Sequence, residues 1–408
     1  MFQRRLASVV GRALAIATLV CGARASADDP PPQAKKGGTD TKIIPLPIYS
    51  TLPNEGNTFG VLPVFLVVES EGQRTRSIYA PSISWNEVIG VSGTMRLFHY
   101  PDRERALLIR ASISQRVNGS AWFAWTNRPL APGKWTDDVF ARIEKSVFFR
   151  FFGIGPDTPE GAETSHTRLR GLVDLRRGLN LGSNFNLAAR FSLAGDDPIR
   201  RAVPGLPASQ DVFPTVPGMS GASVVGGGFD IRYDSRPDYE FSKAGFYSDL
   251  STRWFYGMAN SPNFGRFDFE TKGIVQELDR LQLAARFYAS FVSSREAPFY
   301  YQSSLGGSYL LRGFTEDRFI DRGAWTVEME QRLRLFETHI YGVTAAWRAD
   351  PFVAVGQVFG DRQDLVSHVR TAVGVGLRAF VEPNVLGRID LAMAGEGLKV
   401  YVELGYPF

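Results

Sequence analysis

The sequence predicts an all-β fold, a transmembrane antiparallel β-barrel of about 16 strands with an extracellular loop folded inward. Three observations predict it. The chain opens with an export leader. Behind it, runs of about ten residues alternate strictly between apolar and polar side chains. The last of these runs reaches a terminal aromatic, Phe408.

The leader comes first. Arg4, Arg5 and Arg12 precede an apolar run, Ala13–Cys21, and Ala25-Ser26-Ala27 follows. A basic start, a short apolar core and an A-x-A site make a secretory signal peptide over residues 1–27, cut after Ala27. The run falls short of the roughly 20 apolar residues of a membrane helix. The alternatives are a disordered basic leader, or lipid attachment at Cys21, where Val20 occupies a position that favours a small residue. Cys21 is the one cysteine, so an exported chain cut after Ala27 carries no thiol to mispair in an oxidising compartment.

Residues 28–56 are rich in Pro, Gly and Lys (Pro30-Pro31-Pro32, Lys35-Lys36-Gly37-Gly38) and read as a flexible periplasmic linker. Residues 57–408 read as a single barrel domain. Composition is ordinary, with 44% hydrophobic and 22% charged residues and a net charge of +4, and no later stretch has the length and apolarity of a membrane helix. Barrel strands escape such a search because they alternate.

The alternation is explicit. Leu281, Leu283, Ala285, Phe287, Ala289 and Phe291 share one face against Gln282, Arg286, Tyr288 and Ser290. Phe185, Leu187, Ala189, Phe191 and Leu193 oppose Asn184, Asn186, Arg190 and Ser192, and Val91, Met95 and Leu97 oppose Ser92, Thr94 and Arg96. Such runs exceed the usual 5–6 residues of soluble strands and match the ~9–11 of a tilted membrane strand. Roughly seventeen runs are present; an even-numbered barrel removes one, and the runs holding Pro63 and Pro81 are the suspects.

The polar faces are charged: Arg110, Arg170, Arg190, Arg253, Arg286, Arg332, Arg334 and Arg388, with Asp174, Asp249, Glu328, Glu330 and Asp390. In a barrel they face the lumen; on a soluble sandwich they would be a solvated outer face. Trp122, Trp125, Trp254, Phe255 and Tyr256 lie near strand ends, as an interfacial girdle would, with sandwich-core aromatics the alternative. In the final strand Val400, Val402, Leu404, Tyr406 and Phe408 share a face against Lys399, Tyr401 and Glu403. This resembles the C-terminal sorting strand through which outer-membrane proteins are recognised for insertion, an edge strand that pairs by strand addition.

Five further segments carry a resemblance. They are Phe151-Phe152-Gly153-Ile154-Gly155-Pro156-Asp157-Thr158; Tyr233-Asp234-Ser235-Arg236-Pro237-Asp238 with Ser242-Lys243-Ala244-Gly245; Leu305–Phe314, ending Leu311-Arg312-Gly313-Phe314; Phe352–Phe359; and Gly374-Val375-Gly376-Leu377-Arg378 running on to Arg388-Ile389-Asp390-Leu391-Ala392. In order and spacing, across nearly all of the chain after the leader, they resemble the BamA/TamA-like outer-membrane proteins, the bacterial surface-antigen family. The resemblance implies about five strands after the Arg-Gly-Phe segment. It also makes Arg312 the tip of an inward loop that pairs with carboxylates of the inner wall, with Gly313 turning tightly and Phe314 beside it. Trp325, Val327, Met329 and Leu333 occupy one face of the next strand, so Glu328 and Glu330 fall on the lumen face, and Glu330 stands where the family places its glutamate. The plain alternative for Arg312 is a solvated loop arginine.

Two departures stand out. Ala354 replaces an aspartate frequent in the family's Phe-x-Asp-x-Gly position, so the second half of the lock is missing or comes from elsewhere. Periplasmic polypeptide-transport-associated domains do not precede the barrel segment in this sequence, so client capture is expected to fall to a periplasmic partner. The resemblance implies a role in outer-membrane biogenesis, or in translocation of protein or lipid, through a weak seam between first and last strands, where Pro63 and Pro407 would each remove a ladder bond. The alternative is a loop-gated or plugged pore for small solutes. The expected surroundings are outer-membrane lipid, the barrel-assembly machinery during insertion, and the cell outer membrane; no nucleic acid and no cofactor are expected. His99, His166, His339 and His368 form no HExxH motif and no histidine accompanies a GxSxG serine, so no enzyme is expected.

Overall fold

The computed structural model describes residues 38–52, 54–69, 75–102, 104–129, 131–236, 244–259, 261–340, 343–361, 364–381 and 385–404. The expected leader, Tyr406, Pro407 and Phe408 lie outside the described residues.

Long alternating runs leave each backbone one way to satisfy its polar groups, by pairing laterally, and the described chain is almost entirely strand. The first half comprises β1 (Thr39–Leu52), β2 (Gly56–Glu69), β3 (Thr75–Tyr79), β4 (Ser82–Asn86), β5 (Gly90–His99), β6 (Arg105–Ser114), β7 (Gly119–Asn127), β8 (Trp135–Phe151), β9 (Thr164–Asn180) and β10 (Phe185–Ile199). The second half comprises β11 (Ala222–Asp234), β12 (Gly245–Met258), β13 (Phe264–Leu278), β14 (Leu281–Val292), β15 (Ser303–Leu305), β16 (Phe319–Asp321), β17 (Gly323–Ile340), β18 (Val343–Phe359), β19 (Arg370–Val381), β20 (Val385–Ala394) and β21 (Gly397–Leu404). Nineteen of these form one antiparallel sheet, and β15 and β16 form a separate small hairpin inside the loop between β14 and β17.

Two expectations are corrected. Residues 39–52, read as linker, form β1 and pair with β2 along their whole length; two prolines, Pro45 and Pro47, and the short polar residues at its start hide the period-two pattern there. The strand count also rises. β3 and β4 both pair with β2 and with β5, so they are halves of one row, and the described sheet has eighteen rows rather than about 16. Both suspect runs are strands. Five strands, β17 to β21, follow the Arg-Gly-Phe loop.

The prolines explain their own tolerance. Ala80 donates its N–H to the Arg96 carbonyl of β5 at 2.9 Å. Alternation then aims the Pro81 nitrogen at β2, where the register on either side (Phe65 with Tyr79, Val61 with Ile83) sets it opposite Pro63. Neither ring can donate, and the row breaks there into β3 and β4. Pro63 therefore turns its nitrogen away from β1. Its partner in β1 is Pro45, so this is a wide, non-hydrogen-bonded pair that needs no donor. Pro45, and Pro47 two residues on, consequently point their nitrogens away from β2, toward β21, which runs alongside β1. No ladder joins β1 to β21 among the described residues. The Pro63 reading is thus corrected: Pro63 lies in the second strand, and among the described residues the prolines on the edge of β1 that faces β21 are Pro45 and Pro47.

One sheet face is buried and the other bears Val61, Met95, Ile113, Phe229, Trp254, Tyr256 and Val373, all exposed. The aromatic girdle reading is corrected for two residues. Trp122 and Phe255 are buried, and Trp122 lies beneath the Arg110 and Arg142 guanidiniums at 4.7 and 5.4 Å from its ring centroid, a cation–π arrangement on the inner face.

Long connections (152–163, 200–221, 293–322) gather at one end of the strands. They close over each other. Phe151, Met219, Phe299 and Ile320 form one buried cluster, Gly155 donates to the Ile320 carbonyl at 2.8 Å, and Arg318 binds Glu396 at 2.6 Å and the Thr158 carbonyl at 2.7 Å.

Candidate functional site

The site lies where the loop between β14 and β17 descends onto the buried face of β17–β21. Small side chains make the room: Ala324, Ala354, Ala372 and Ala392 are fully or nearly fully buried. Into that space drop Leu311 and Phe314, which pack with Leu305, Phe319, Val358, Ala324, Ala354 and Ala372, while Ala392 packs with Phe352 and Tyr401. Phe314 meets Phe319 edge-on at 5.1 Å. Ala354, where the resemblance favours an aspartate, thus serves as floor for the loop.

The backbone at the tip is bent hard. Leu311 has φ 53° and Gly313 φ 115°; the first is costly for a branched side chain. A Cβ on Gly313 would stand 3.0 Å from that of Ala394 and 3.1 Å from that of Ala372. Two side chains from the wall hold the bend. Leu311 N–H donates to Glu328 Oε1 at 2.6 Å. Gly313 N–H donates to Tyr401 Oη at 3.1 Å, and Tyr401 Oη donates onward to the Phe314 carbonyl at 2.7 Å.

Arg312 is wholly buried. Its Nη2 lies 3.1 Å from Glu330 Oε2 and its Nη1 3.4 Å from Asp390 Oδ1. The Phe352 ring lies under it, 3.5 Å from the guanidinium carbon to the ring centroid. The two acids are shared. Arg332 reaches Glu330 at 2.9 Å, and Arg378 reaches Asp390 at 2.6 Å, Asp350 at 3.2 Å and Glu330 at 3.6 Å. Arg388 closes on Asp390 at 3.3 Å. Glu328 pairs instead with Arg286, at 2.9 Å. Burying this many charges is tolerable because each acid meets at least one guanidinium, and removal of one partner from such a set costs about 3–5 kcal/mol.

The structure therefore brings Arg312, Gly313, Phe314, Glu328 and Glu330 together. In the last strand Val400 and Val402 are placed in β21, with Val402 buried, and Leu404 is its final residue. Asp390 and Tyr401 also hold the loop, and the sequence pattern alone does not mark either as a site residue. Both sit on the polar side of alternating strands and differ from solvated residues only in what the loop places over them.

The same inner wall continues around the sheet as paired charge. Asp230 takes Arg176 at 2.9 Å and Arg190 at 2.6 Å, Arg232 binds Asp249 at 2.9 Å, and Arg266 and Arg253 share Asp268 at 2.9 and 3.0 Å. The arrangement holds a loop and fills an interior.

Residues 109–396 match the Omp85 superfamily domain. Among solved structures, BamA from Haemophilus ducreyi lacking POTRA domains 1-3 superposes with a TM-score of 0.53 at 13% identity, over 89% of this chain and 74% of that one. CdiB from Acinetobacter baumannii superposes with a TM-score of 0.50 at 12% identity, over 90% of this chain and 66% of that one. No curated protein sequence matches the chain. With the family domain spanning most of its length, and the fold and its inner loop already described, this chain belongs to the Omp85 superfamily and is a β-barrel protein of the outer membrane.

Proposed function

We propose that this chain is a closed outer-membrane barrel that admits a protein or lipid client sideways, through the seam between β1 and β21, while the Arg312 loop keeps the lumen shut. One observation carries the reading. The two edge strands run side by side, no ladder links them among the described residues, and Pro45 and Pro47 remove two donors from the edge of β1 that faces β21. Each missing bond withholds about 0.5–1.5 kcal/mol of net stabilisation, and edge strands short of partners are the natural template for strand addition.

The lock supports the same reading. Arg312 ties the loop to β17 through Glu330 and to β20 through Asp390. Tyr401 ties it to β21 itself. The loop thus fixes the strands up to the seam, and parting the seam need not unfill the lumen. In this reading the leader ends at Ala27, a periplasmic partner presents the client, and the last strand, through Phe408, is what the assembly machinery reads during insertion.

A deletion strain tests the role. The reading expects depleted outer-membrane barrels or phospholipid in the outer leaflet. Normal barrel levels together with intact lipid asymmetry would overturn it. The competing pore reading separates in planar bilayers, where a large steady conductance unchanged by Arg312→Ala would favour the pore.

A further inference from the structure

At the end of the strands where the long connections gather, a small cavity lies between the start of β9 and the loop from β14 to β17. His166, Phe299 and Gln302 form its buried floor, and Phe149, Tyr300 and Asp317, all half-buried, form its mouth. Its volume is about 30 Å³, room for roughly two water-sized groups.

His166 is held there by a chain of hydroxyls whose protons can be followed. Thr164 Oγ1 donates to the Phe151 carbonyl at 2.7 Å. Its hydrogen is then committed, so it accepts from Ser209 Oγ at 2.8 Å. Ser209 has in turn spent its own hydrogen, and accepts from His166 Nδ1 at 3.0 Å. The proton of a neutral His166 therefore sits on Nδ1, and Nε2 presents a bare lone pair. The ring is wedged between Phe149 and Phe299, with centroids 6.0 and 5.6 Å away. Gln302 offers a second lone pair. Its Nε2 donates to the carbonyls of Ala297 at 3.1 Å and Arg295 at 3.3 Å, which fixes the amide and leaves Oε1 as the free end. His166 Nε2 and Gln302 Oε1 are both buried without a hydrogen-bond partner among the described residues. Buried acceptors left in this way are costly until a donor reaches them.

Charge narrows the ligand. Arg168 and Arg150 also line the cavity. Each is already answered by an acid, Arg168 by Asp196 at 2.6 Å and Arg150 by Glu163 at 3.0 Å. A cation would meet two guanidiniums. An anion would meet two lone pairs and, at the mouth, Asp317. Neutral hydroxyls avoid both conflicts. Two of them fit the volume, one for each acceptor, and Phe149 and Tyr300 supply apolar surface for the ring that carries them.

We propose that this cavity is a saccharide subsite. His166 Nε2 and Gln302 Oε1 accept from two hydroxyls of one neutral sugar residue, whose ring stays at the mouth against Phe149 and Tyr300. Ser209 and Thr164 are positioning residues that keep the proton on Nδ1. The site goes beyond the client route proposed above and does not depend on it.

The test is heteronuclear NMR of histidine ring nitrogens in the exported full chain, held in a non-glycosidic detergent. His99→Gln, His339→Gln and His368→Gln together leave His166 as the one histidine signal. The probes are methyl α-D-glucopyranoside and methyl α-D-galactopyranoside, offered in turn. Without sugar, the proton is expected on Nδ1 and absent from Nε2. At least one glycoside should move the Nε2 signal, and the same glycoside lacking its hydroxymethyl oxygen should bind about tenfold more weakly, as one buried hydrogen bond is lost. Ser209→Ala should weaken binding by a similar factor and let the proton appear on either nitrogen, a change that loosened packing alone would not produce. A proton on Nε2 of the sugar-free chain, or an Nε2 signal that neither glycoside moves, would overturn the site. Equal binding of the deoxy glycoside would overturn hydroxyl recognition. Sodium sulfate or ammonium chloride moving the signal where the glycosides do not would overturn the neutral ligand.

Discussion

Arg312 concentrates the energetics of the site in one side chain. It is buried, it binds two acids on different strands, and it lies against Phe352. Arg312→Ala should lower stability by about 3–5 kcal/mol, because Glu330 and Asp390 lose a partner without regaining water. Thermal unfolding followed by gel mobility of the folded barrel measures the loss. Arg312→Lys should recover less than half of it, since a single ammonium cannot span the two acids and lie flat on the ring. Tyr401→Phe tests the other tie. It removes one hydroxyl that both accepts from Gly313 and donates to Phe314, so a cost of about 1–3 kcal/mol is expected, with limited proteolysis of the 306–317 segment rising. Gly313→Ala adds a Cβ in a region of φ that L-residues rarely occupy and should behave like Arg312→Ala in the same assays.

Among the elements, β1 is the one through which the proposed seam can be tested. Pro45→Val with Pro47→Val returns two N–H groups to its seam edge and keeps that face apolar. Backbone amides of β1 and β21 should then exchange with solvent more slowly by about a factor of ten or more, as roughly 1 kcal/mol is gained per bond formed. Unchanged exchange would mean that the nitrogens do not face β21. The same strands show what a sequence can and cannot reveal. The alternation of Leu281–Phe291 is legible because one face is wet or charged and the other meets lipid. β1 is illegible because its prolines read as a linker until the partner strand is known. Glu330 was readable from parity and from the Arg-Gly-Phe segment together. Asp390 and Tyr401 were not, since their role depends on contacts between residues 78 to 88 positions apart in the chain, such as Arg312 with Asp390 and Gly313 with Tyr401. Trp122 misled because an aromatic near a strand end looks alike on either face.

For the whole molecule, the proposed reading makes the paired inner wall and the crossed loops a poor conduit and puts the discontinuity at the side. Planar-bilayer conductance should be small and should rise in Arg312→Ala, where the loop loses its anchor. The claim that clients pass the seam is tested most directly by closing it reversibly. The chain's one cysteine is Cys21, in the expected leader, so paired cysteines introduced one in β1 and one in β21 can be scanned for a disulfide without a competing thiol. With the seam bridged, complementation of the deletion strain should fail, and adding reductant should restore it. Full complementation by a fully bridged barrel would contradict the account.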